Sequence, residues 1–158
     1  MEDIDLNISN GTCYFAAGAQ AADGFIPCGN AALEGYAKSC CYVGDKCLSS
    51  QACFNTKFTI TYLVGCTDPT YGSPECPGKG PYTGQQLVGL TRCDPDVTEW
   101  AGCKDDEGRT KPEPRHDNCT CEGQSPLFDG GAKLEDIAFL PLSAGGKMSW
   151  FPGPLILI

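Results

Sequence analysis

The side chains best suited to proton transfer sit together in Arg115-His116-Asp117-Asn118-Cys119. An imidazole beside a carboxylate can act as a general base when a rigid element holds both at the reacting water. Here Pro112 and Pro114 precede the pair, and proline blocks a helix running into it. The expectation is a solvated loop histidine. His116 is the chain's single histidine, which removes the two-histidine zinc sites. Asp105, Asp106 and Glu107 form an acidic run, but calcium takes about 6–8 oxygens from alternating positions of a closed loop, and this run lacks that spacing. Cys40, Cys41, Cys47 and Cys53 are spaced loosely like a thiolate cluster without its paired C-x2-C knuckles. There is no Gly-x-Ser-x-Gly, P-loop or dinucleotide fingerprint, and Gly78-Lys79-Gly80 lies among prolines as turn glycines. No catalytic, cofactor or metal residue is assigned.

The cysteines have a better use than a site. Cys13, Cys28, Cys40, Cys41, Cys47, Cys53, Cys66, Cys76, Cys93, Cys103, Cys119 and Cys121 make an even set of twelve. In an oxidising compartment they read as up to six disulfides. About ten thousand pairings are possible, so connectivity stays open. A bond between neighbours is strained, so Cys40 and Cys41 are expected to have different partners, and so are Cys119 and Cys121. Sequons at Asn7, Asn10 and Asn118 point to the same compartment.

The composition needs those staples. In 158 residues there are 20 Gly and 12 Pro against 7 Phe, 6 Tyr and 2 Trp, so turns are many and large apolar side chains few. Cross-links offset a small core at about 2–4 kcal/mol each. A net charge of −9 repels phosphate backbones and anionic lipid, and excludes nucleic acid as a partner.

Three parts are expected along the chain. Residues 1–12 form a polar, glycosylated tail. Residues 13–121 form the stapled domain, and residues 122–158 a less constrained C-terminal segment. Asn30 caps a short helix over 31–38, which Gly35 weakens. Residues 45–64 read as a β-meander turning at 48–52. Its best strand alternates Phe58, Ile60, Tyr62 and Val64 with Thr59, Thr61 and Leu63. Prolines make 68–82 a loop, and 85–92 reads as a further strand. Residues 104–118 read as an exposed, mobile loop and 134–142 as an edge strand. Met1–Asp5 is acidic where a leader's basic region belongs, so the chain is expected to begin inside a longer protein. The four apolar residues after Pro154 fall far short of the ~20 of a membrane span, and they read either as the start of a membrane anchor or as a plain apolar tail. Tyr71, Tyr82, Trp100 and Trp150 lie in Gly/Pro-rich surroundings. Rings on stapled loops can stack on sugars or peptides, although at least two are expected to cover the core instead.

Two resemblances bear on function. Cys53-Phe54-Asn55 followed by Gly65-Cys66-Thr67-Asp68-Pro69-Thr70-Tyr71-Gly72-Ser73-Pro74-Glu75-Cys76-Pro77 resembles ascomycete cysteine-rich ectodomains, a fungal surface family of uncharacterised function. Cys40-Cys41 and Asp45-Lys46-Cys47-Leu48 are similar to that family's vicinal pair and hairpin. Trp100-Ala101-Gly102-Cys103 and Cys119-Thr120-Cys121 resemble its second half more loosely, without the extra cysteine beside Cys103. The family implies a secreted or cell-surface location and no transferable activity. His116-Asp117 beside Cys119 resembles the active-site helix of secreted phospholipases A2, where the His is the base and the Asp binds calcium. The vicinal cysteines here lie far upstream of the His, and no calcium loop is present.

The expected fold is small, disulfide-rich, mostly β and loop, with at most one or two short helices. The expected function is a non-enzymatic extracellular domain of a fungal secreted or cell-surface protein, structural or binding, with cell-wall glycan or protein as partner. The binding aromatics are Tyr71, Tyr82 and Trp100. The alternatives are a phospholipase A2-like hydrolase using His116 and Asp117, and a soluble secreted effector.

Overall fold

The computed structural model describes residues 7–92, 98–105, 108–114, 126–131 and 133–151. In chain order the strands begin with β1 (Tyr14–Ala16), β2 (Ala19–Gln20), β3 (Phe25–Pro27) and β4 (Ser39–Tyr42). Next come β5 (Lys46–Leu48), β6 (Cys53–Asn55), β7 (Ile60–Leu63), β8 (Gly65–Cys66) and β9 (Val88–Thr91). β10 (Glu99–Cys103), β11 (Phe128–Asp129), β12 (Asp136–Phe139) and β13 (Ser149–Trp150) complete the set. They form a five-stranded sheet in the order β2-β1-β8-β4-β3 and an eight-stranded sheet in the order β11-β10-β9-β7-β6-β5-β12-β13. Every pairing between these strands is antiparallel. Among the described residues the fold is thus mostly β with one short α-helix, α1 (Ala31–Glu34). Asn30 caps α1 by accepting from the Leu33 N–H. Gly35, in the left-handed region at φ 77°, ends it by returning its N–H to Ala31 O. The helix therefore stops four residues short of the expected span.

Side chains alternate across a strand, so two neighbouring rows of the large sheet face opposite ways. One row runs Cys103–Gly89–Tyr62–Cys53–Cys47–Ala138. It faces the small sheet and joins Phe25, Ile26, Cys40, Cys41 and Leu140 in the main core. The next row, Gly102–Leu90–Thr61–Phe54–Lys46–Phe139, faces outward. The chain passes between the sheets at the buried Val64. Gly65 is obligatory there, because a Cβ would fall on the Tyr14 carbonyl oxygen.

The core is small and cross-linked. Cys13–Cys40 and Cys66–Cys76 staple the small sheet and the loop that follows it. Cys28–Cys47 and Cys41–Cys53 tie one sheet to the other. Cys40 and Cys41 have separate partners, as the strain argument requires. Cys103 is also disulfide-bonded. Cys93, Cys119 and Cys121 lie outside the described residues. Multiple disulfides suit an oxidising, extracellular environment. Among the described residues no helix is long and apolar enough to cross a membrane.

Two of the buried polar groups, Asp45 and Lys79, tie distant segments together. Asp45 accepts from the Tyr62 hydroxyl at 2.5 Å and from Asn55 Nδ2 at 2.8 Å. Burial outweighs these bonds and pushes its carboxyl up to about 6. Lys79 is 2% exposed, and its ammonium donates to the carbonyls of Phe15, Val64, Gln85 and Gln86. Burial lowers its pKa to about 7, against four acceptors that favour the charged form. This lysine ties the proline-rich loop to β1, to the link between the sheets at Val64 and to the segment leading into β9.

Several expectations fail on packing grounds. Residues 8–12 are no free tail: Ser9 is fully buried with its hydroxyl on Pro27 O, Ile8 bridges Lys147 and Asn10 bridges Asn30. β12 is no edge strand, since it lies between β5 and β13. Part of the C-terminal segment is therefore built into the large sheet. In the charged stretch after Cys103, Arg109 is 5% exposed and pairs with Asp105 at 3.3 Å. The β-meander, the turn at Ser49–Gln51 and the strand within 85–92 form as expected.

Candidate functional site

An outward sheet face exposed to water normally carries polar residues. Here it carries Leu90, Thr61, Phe54, Lys46 and Phe139 in one row. Leu127, Phe128 and Leu134 fold back over one end and build a second apolar cluster with Leu48, Leu63, Val88 and Leu90. The uncovered part is a cleft of about 280 Å³. Phe54, Thr61 and Trp100 line it with Leu48 and Leu134, and Lys46, Lys133 and Asp136 supply charge.

The walls are fixed in place. The Trp100 indole donates to Gly131 O at 2.9 Å and stacks on Phe128 with centroids 6.5 Å apart. The Arg92 guanidinium lies 5.8 Å from the same ring. The Lys46 ammonium sits 5.6 Å from Phe54, 5.5 Å from Phe139 and 5.8 Å from Phe151. It pairs with Asp136 at 3.4 Å. Cation–ring contacts of this kind are worth about 0.5–1 kcal/mol at exposed sites. Two lysines stand against one aspartate in the cleft, an inversion of the −9 balance of the whole chain.

Of the three expected binding aromatics, only Trp100 reaches this cleft. The Tyr71 hydroxyl donates to Pro77 O at 2.7 Å, and burial raises its pKa well above the ordinary tyrosine value. Tyr82 packs on the second cluster, against Gly102. Both therefore hold the fold. Trp150 is 39% exposed, and its indole donates to Asn7 Oδ1 at 2.9 Å. The Asp68 carboxylate accepts from Thr70 Oγ1 and from the N–H groups of Thr70, Gly72 and Ser73. Those bonds, the Thr70 hydroxyl first, hold it below the usual carboxylate range and account for the Asp-Pro-Thr-Tyr-Gly-Ser run as a loop clamp. His116, Asp117, Asn118, Asp106 and Glu107 lie outside the described residues. The sulfurs of Cys28, Cys41 and Cys47 cluster within 4.8 Å, but all three are spent in disulfides and offer no thiolate to a metal.

Sequence reasoning missed Lys46, Phe54, Thr61, Lys133 and Asp136. A signal was present for two of them. Cys47 and Cys53 must face the core to form their bonds, so Lys46 and Phe54 must face away from it. No protein-family pattern, characterised protein or solved structure matches this chain.

Proposed function

We propose that the chain is a non-enzymatic extracellular binding domain of a fungal secreted or cell-surface protein, and that it takes a carbohydrate on the outer face of its large sheet. The observation carrying this reading is the cleft beside Trp100, where aromatic walls meet charged side chains that can hydrogen-bond hydroxyls. Its 280 Å³ lies just under the range of about 300–1,000 Å³ common for ligand pockets, which suits the end of a sugar chain. The pattern of Cys53 to Pro77, resembling fungal surface ectodomains, supports the location, and the disulfides support the compartment.

The test is direct. Trp150→Phe leaves Trp100 as the sole tryptophan reporter. Titration with soluble oligosaccharides of chitin, β-glucan and mannan type is expected to give a saturable fluorescence change with at least one class. Phe54→Ala, checked for an unchanged circular dichroism spectrum, is expected to weaken binding about tenfold or more. A flat response across the panel overturns the carbohydrate reading.

A further inference from the structure

All three residues of the sequon Asn10-Gly11-Thr12 line a second, open groove of about 900 Å³. Ala31 and Tyr36 line it too, with Thr67 and Pro74. The acceptor is held rigidly. The Asn10 N–H donates to Gly29 O at 3.2 Å, and its carbonyl accepts from Ala31 N at 2.9 Å. Its Nδ2 donates one hydrogen to Oδ1 of the buried Asn30 at 3.3 Å. Gly11, at φ 145°, lets the sequon lie close, because a Cβ would press on Thr67 Cγ2 at 3.2 Å and on the Ala31 Cβ at 3.3 Å. Tyr36 is 61% exposed, and the Lys38 ammonium lies over its ring 4.6 Å from the centroid, so a sugar meets the opposite face.

We infer that Asn10 carries an N-linked glycan whose first sugars lie in this groove against the Tyr36 ring. The inference rests on the extracellular reading. In the transfer one Nδ2–H bond is replaced by a bond from Nδ2 to C1 of the first sugar. The C1–O bond to a polyprenyl diphosphate donor breaks, and the diphosphate and the proton leave. The remaining Nδ2 hydrogen keeps its bond to Asn30, so the sugar leaves in one fixed direction, from a side chain that lines the groove. Asn7 does not line this groove, and its Oδ1 accepts from the Trp150 indole at 2.9 Å. An apolar sugar face on an exposed phenol ring is a favourable contact of the kind aromatic side chains make with amphipathic partners.

The test uses the full chain secreted from a eukaryotic host, with glycopeptide mass spectrometry and time-resolved release by a peptide N-glycosidase. Asn10 is expected to be occupied. In the native protein Tyr36→Ala is expected to speed release at Asn10 roughly five- to tenfold, the worth of one ring contact, with equal rates after denaturation. A fully oxidised protein with a bare Asn10 overturns this inference alone. So do native release rates that are the same with and without Tyr36. Free thiols throughout the secreted protein overturn the extracellular reading and this inference with it.

Discussion

Tyr62→Phe removes one oxygen from the centre of the molecule and keeps the ring's packing. The lost hydroxyl accepts from Tyr42 N at 3.0 Å and donates to Asp45 Oδ2 at 2.5 Å. An orphaned buried N–H costs about 1–3 kcal/mol. The bond to Asp45 is worth about 0.5–1.5 kcal/mol while the carboxyl is protonated and about 1.5–3 once it is ionised. Burial raises the Asp45 pKa from the ordinary 3.8 to about 6, so the two regimes fall at accessible pH. The folded acid binds its proton more tightly than the unfolded one. Stability from this group is therefore fully present below about pH 4 and is lost as pH rises through 6. The shift corresponds to about 3 kcal/mol, nearer 2 after solvent screening. Losing the hydroxyl removes one of the bonds that hold the pKa down, so the variant goes on losing stability above pH 6, where the native protein no longer does. The expected destabilisation is about 2–3 kcal/mol at pH 4.5 and about 3–5 kcal/mol at pH 7.5. Urea unfolding of the oxidised protein, followed by tryptophan fluorescence, measures both. Other titrating groups, Lys79 included, cancel in the difference between the two proteins. Equal destabilisation at the two pH values would refute the buried, ionisable Asp45.

Three further outcomes are expected. Replacing Cys41 and Cys53 together by Ser opens a loop of sequence separation 12 and should cost about 3 kcal/mol, seen as a drop of roughly 10 °C in thermal unfolding. Lys79→Met leaves four carbonyls without their donor and should destabilise by about 3–5 kcal/mol in denaturant titration, whereas a surface lysine such as Lys133→Met should stay within about 0.5 kcal/mol. Gly65→Ala sets a methyl group against the Tyr14 carbonyl and should prevent recovery of folded, fully oxidised protein, which thiol counting of the secreted product would detect.

What the sequence disclosed and what it hid divide along range of interaction. The Asn30 cap, the Ser49–Gln51 turn and the alternation through Ile60 and Tyr62 are local, and all three form. Gly35 signalled the helix end, and its positive φ shows why the helix yields there. The cysteines marked which strands must face inward. Partners far along the chain were invisible. Nothing near Lys46 in sequence announces Asp136, and nothing near Lys79 announces Phe15 or Val64. Lys79 in particular sits among glycines and prolines that read as plain loop. Its burial follows from carbonyls that only the assembled sheets bring together. Trp100 was found by residue type alone, and Tyr71 and Tyr82 shared that signal while serving the core.

The pairing of β5 with β12 has a consequence for how the protein is made. Lys46 and Asp136 are 90 residues apart, so β5 shows an open backbone edge until the nascent chain has delivered β12. All four disulfides whose partners are both described close within residues 13–76 and can form before that. A half-molecule oxidised at that stage has a sheet that ends in a bare strand, the kind of edge that recruits other chains. Lys46 lies on that strand and places a charge where a neighbouring copy would dock. The same lysine that lines the cleft of the finished protein thus guards its unfinished form.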